Sequence, residues 1–86
     1  MAEFLVESYV ARTDSAAAER GAERSRLAAE RLTREGTRVR YLRSIFVPED
    51  ETCFFLYEAD SAEAVRLAAA RAALPFERVV ELFSQT

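Results

Sequence analysis

The chain has 86 residues, half of them hydrophobic, with twelve basic and fifteen acidic side chains and a net charge of −3. That length makes one domain, residues 1–86, and the acidic balance argues against nucleic acid or an anionic membrane as partner. Histidine and lysine are both absent, which removes imidazole bases, His-based metal sites, Schiff-base chemistry and a phosphate-loop lysine.

Every basic residue is therefore an arginine. The single cysteine, Cys53, excludes an intrachain disulfide and makes a cytoplasmic location the default expectation. The start, Met-Ala-Glu-Phe, has no basic segment and no long apolar run, so neither a signal peptide nor a membrane span is expected. A domain this small buries only part of its surface. A hydrophobic surplus then predicts self-association as the way to bury the rest.

Phe4 to Val10 is rich in aromatic and β-branched residues and reads as the first strand. Asp14 to Glu35 holds strong helix formers and no proline. Asp14 suits its cap, and Gly36 suits a left-handed end. Leu27, Ala28 and Leu32 are expected on its inner face. Glu30 with Arg34 is an expected surface pair, and Gly21 weakens the middle. Val39 to Val47 reads as the second strand and Pro48–Glu51 as a short polar turn. Thr52 to Ala59 reads as the third strand. Asp60-Ser61-Ala62-Glu63 is a cap with a glutamate three residues on. The second helix runs to about Ala73 with Val65, Ala69 and Ala72 inward, until Leu74-Pro75 stops it. Phe76 to Phe83 reads as the fourth strand.

This β-α-β-β-α-β order predicts an α+β, ferredoxin-like sandwich: an antiparallel sheet with both helices on one face. Alternation assigns Phe4, Val6, Ser8, Val10, Leu42, Ser44, Phe46, Cys53, Phe55, Tyr57 and Ala59 to the helix side. The uncovered face is expected to carry Leu5, Glu7, Tyr9, Tyr41, Arg43, Ile45, Phe54, Leu56 and Glu58, with Val79, Glu81 and Phe83. A contiguous apolar face with a few charges marks an interface or a ligand groove. Arg43 paired with Glu7 or Glu58 would be a plain cross-strand ion pair inside a dimer interface. Left unpaired, it would mark a site. Cys53 is expected as a small core residue and the tyrosines as packing residues.

Several runs resemble a known family: Phe4-Leu5-Val6-Glu7, Tyr41 to Val47, the Cys-x-x-x-Tyr-Glu-Ala run at 53–59, and the Ala-x-x-Ala-x-Leu-Pro helix end at 69–75. Together they resemble the small bacterial nickel-binding-protein-like family, long described as a domain of unknown function. The resemblance spans nearly the whole chain. It implies a ferredoxin-like fold, dimerisation through the sheet and, in at least one member, nickel binding. It also implies that Glu7, Arg43 and Glu58 occupy the family's site positions. Histidine is common in the family where this chain has Arg43 and Ala68, so no metal or other cofactor is expected here.

Two functions follow as expectations. One is a binding or accessory role: a homodimer, paired through the sheet face, holding a small ligand there. Arg43 would meet an anionic group, with Tyr41, Phe54 and Leu56 as walls. The other is a cofactor-free enzyme, an isomerase, cyclase or monooxygenase. Glu7 or Glu58 would be the base, and Arg43 would stabilise a developing oxyanion.

Overall fold

The computed structural model describes residues 1–84. Its elements are β1 (Ala2–Tyr9), α1 (Ser15–Arg34), β2 (Val39–Val47), a 3-10 turn (Pro48–Asp50), β3 (Thr52–Ala59), α2 (Ala62–Arg71) and β4 (Phe76–Leu82). The four strands form one antiparallel sheet in the order β2-β3-β1-β4. Each helix crosses over between two strands that are not neighbours, and the third strand of each set fills the gap. The β-α-β-β-α-β order and the α+β class are as the residue pattern predicts.

Local chemistry explains the boundaries. The Asp14 side chain accepts from the Ala17 N–H at 3.1 Å and starts α1. Gly36 ends it with φ +104°, and the Thr37 N–H closes back on the Leu32 carbonyl at 2.9 Å. In α2 the cap is Ser61, one residue beyond the position that a glutamate three residues on implies. Its hydroxyl accepts from the Ala64 N–H at 3.2 Å. Ala73 turns left-handed with φ 57° immediately before Leu74-Pro75.

Both helices cover one face of the sheet. The core under them holds Phe4, Val6, Val10, Cys53, Phe55, Tyr57 and Ala59 from the strands. Ala28, Ala29 and Leu32 enter it from α1, and Val65, Ala68, Ala69 and Ala72 from α2. Leu27 points outward, because the inner face of α1 is the row Ala18-Gly21-Ser25-Ala28-Leu32, with Ala29 beside it, rather than a face through residue 27. Glu30 pairs with Arg26 at 2.9 Å rather than with Arg34. Between the helices, Arg24 Nε donates to the Ala72 carbonyl at 2.7 Å and ties α1 to the end of α2.

Two strand phases differ from simple alternation. On β2, Tyr41 opposes Tyr57, and Arg43 opposes Leu56 two residues later. Leu42 is the extra residue of a β-bulge. Tyr41 is therefore on the helix side, where its ring meets Tyr57 edge-on at 5.6 Å. On β4, Val79 opposes Val6 and packs on the core, and Glu81 opposes Phe4. Neither belongs to the uncovered face, which takes Arg78, Val80 and Leu82 instead. Phe83 lies beyond the strand, 73 % exposed.

Candidate functional site

The uncovered face is ordered in rows across the sheet by the strand register. One row reads Arg78-Glu7-Phe54-Ile45, from β4 to β2. The next reads Val80-Leu5-Leu56-Arg43, and the third Leu82-Glu3-Glu58-Arg40. The middle is apolar. Leu56 is 8 % exposed even without a covering layer, while Ile45 at the edge is 38 % exposed.

The rows separate the three charged residues that sequence reasoning grouped. Glu7 and Glu58 are four residues apart along the strands and one strand apart across them, about 14 Å at ordinary strand spacings. Arg43 lies between them, about 8 Å from Glu58 and about 12 Å from Glu7 by the same spacings. They share a face but do not converge on one point.

Each glutamate instead has its own arginine. Arg78 Nε donates to Glu7 Oε1 at 2.6 Å, and an Arg40 guanidinium nitrogen lies 2.8 Å from Glu58 Oε1. Both carboxylates are mostly covered, 22 % and 26 % exposed, whereas their arginines are two-thirds exposed. Such pairs contribute about 0.2–1 kcal/mol each. Sequence reasoning missed Arg40 and Arg78. Both were hidden by strand phase: Arg78 faces Glu7 and Arg40 faces Glu58 only in the register that pairing sets, with the bulge at Leu42 shifting β2. Arg43 has no ion-pair partner among the described residues.

Of the expected walls, Phe54 and Leu56 lie beside Arg43 and Glu7 on this face. Tyr41 does not: it lines clefts on the opposite side, between α1 and β2. Burial pushes its phenol above the ordinary tyrosine value.

The donor set does not suit a nickel-type ion. Imidazole is missing, and the one thiol, Cys53, is buried in the core, where burial pushes it up to about 11. Glu7 and Glu58 are each held by a guanidinium. Among the described residues, no three His, Cys, Asp or Glu side chains gather into a cluster that could hold a metal ion. No helix among them is long and apolar enough to cross a membrane.

Comparison with known proteins agrees with this architecture. A search of curated proteins finds no match. Among solved structures, the chain is similar to the protein of the crystal structure analysis of SCO4226 from Streptomyces coelicolor A3(2). The identity is 23 %, covering 99 % of this chain and 100 % of that one, with a TM-score of 0.69. At that identity the likeness carries the fold. The family model described as nickel responsive protein SCO4226-like matches residues 4–82. A match running from the first strand to the last means that the chain belongs to the SCO4226-like family of nickel-responsive proteins.

Proposed function

We propose that this protein is a non-catalytic binding or accessory member of its family, working as a homodimer joined through the uncovered sheet face, with Arg43 receiving a small anionic group. The observation that carries this reading is the middle row of the face. Leu5, Leu56 and Val80 form an apolar strip that ends on a guanidinium with no ion-pair partner among the described residues. An apolar face with one uncommitted arginine suits a covered surface that orients an anion.

Scale supports a modest dimer. Four strands of seven to nine residues give a face of about 19 Å by 26 Å, roughly 500 Å² per partner before side-chain relief. Standard interfaces bury about 800 Å² per partner. The interface would be smaller than the standard size, with its open ends left for a ligand.

Sedimentation equilibrium on the full chain tests the pairing. The native chain should dimerise, and Ile45→Glu, at an edge position that costs the fold little, should be monomeric with unchanged circular dichroism. A native chain that stays monomeric up to about 100 µM would refute the dimer. Inorganic phosphate is the probe for the anion. Amide shifts should centre on Arg43 and vanish in Arg43→Gln; equal shifts in both proteins would remove Arg43 from the site.

A further inference from the structure

The far side of the molecule carries a second, unrelated feature. Where the C-terminal half of α1 overhangs the edge strand β2, a cleft of about 420 Å³ opens. Its floor is Ala29, Val39 and Tyr41, with Thr33 at the wall. The cleft exists because α1 presents alanine there and β2 presents valine. The bulge at Leu42 turns the Tyr41 ring under the helix rather than out to the other face. Thr33 is not available as a donor to a ligand, since its hydroxyl bonds the Val39 carbonyl at 2.7 Å.

Four arginines rim this cleft: Arg26, Arg34, Arg38 and Arg40. Two are committed. Arg26 bridges Glu23 and Glu30, and Arg40 holds Glu58. Arg38 meets Asp60 only at 3.9 Å, and Arg34 has no ion-pair partner among the described residues. The cleft thus has an apolar floor and two rim guanidiniums, Arg34 and Arg38, without a close ion pair; Glu30, the one carboxylate among the lining residues, is held by Arg26.

We propose that this cleft binds a small amphiphilic carboxylate, an aromatic acid whose ring lies on Tyr41 and Val39 and whose carboxylate meets Arg34 and Arg38. The volume is in the range that small ligands occupy, and guanidinium forks match carboxylate geometry. The C-terminal end of α1 by itself disfavours an anion. Recognition must therefore come from the two arginines, which makes it sensitive to their charge. The cleft shares Arg40 at its rim with the uncovered face, but none of its proposed contacts, Tyr41, Val39, Arg34 and Arg38, belongs to the rows of that face, so either reading can fail without the other.

Amide NMR on the full chain, titrated with 2-naphthoate and with the uncharged 2-naphthalenemethanol, is the test. The carboxylate should give saturable shifts at Ala29, Thr33, Val39 and Tyr41. Arg34→Glu combined with Arg38→Glu should weaken binding about tenfold or more. Both side chains are exposed, and the amide spectrum itself reports whether the variant is folded. Three outcomes would overturn the proposal: no saturable shift up to about 5 mM ligand, shifts confined to Leu5, Phe54, Leu56 and Val80, or equal affinity for the acid and the alcohol.

Discussion

Tyr57 shows what a single residue costs and controls. It is among the largest fully buried side chains, and its hydroxyl has Ser25 as its polar neighbour. Neither oxygen, nor that of Ser8, completes a hydrogen bond among the described residues. Burial pushes the Tyr57 phenol up to about 12 and the Cys53 thiol up to about 11. Both groups are neutral when protonated, so the folded chain holds its protons more tightly than the unfolded chain, whose values are about 10 and about 8.5. The stability this represents is whole below about pH 8.5 and drains away as pH rises towards 12. It amounts to at most about 3–3.5 kcal/mol per group. Urea unfolding followed from pH 8 upward should show that decline, and Tyr57→Phe together with Cys53→Ala should flatten it. A native profile that stays level across this range would contradict the assignment. Near pH 7, Tyr57→Phe should change stability by less than about 1 kcal/mol, because it removes a hydroxyl with no full partner.

Elements meet at distances that particular residues set. Gly21 lies in the buried row of α1, where an added Cβ would come within 2.8 Å of Phe55 Cζ. Phe55 is 1 % exposed, so its ring has little room to yield. In an isolated helix Gly→Ala gains about 1 kcal/mol; here overpacking should cost about 1–3 kcal/mol and reverse the sign. Chemical denaturation of Gly21→Ala checks this, and a more stable variant would show that α1 is free to lift from β3. The glycine that looks like a weak point in the sequence is where the α1 backbone lies against the Phe55 ring of β3. The β2 bulge teaches the reverse lesson. Strand alternation read correctly on β1 and β3, where polar and apolar residues interleave. It failed at Tyr41-Leu42, two apolar residues that satisfy either phase, and at Val79-Val80 for the same reason. Only pairing with β3 and β1 decided which of each pair turns inward.

At the scale of the whole molecule, the family's nickel response and this chain's donor set stand apart. On the uncovered face Glu7 and Glu58 are each engaged by an arginine, the thiol is in the core, and imidazole is absent. Calorimetric titration of the full chain with nickel chloride should therefore show no binding heat above dilution at neutral pH. A stoichiometric exotherm would mean that carboxylates from two copies assemble a site that one chain does not hold.

The element order, the helix ends at Asp14 and Gly36 and the absence of histidine were legible in the sequence by itself. They depend on local propensity, periodicity and composition, which act within one segment. The grouping of Glu7, Arg43 and Glu58 was only half legible: one face, but not one point. Register is a relation between strands far apart in the chain, and it alone placed Arg78 against Glu7 and Arg40 against Glu58. It also moved Tyr41 from the expected site to the cleft beneath α1. A one-residue bulge exchanges the faces of every residue beyond it, and no local pattern in Arg40-Tyr41-Leu42-Arg43 announces where the extra residue falls.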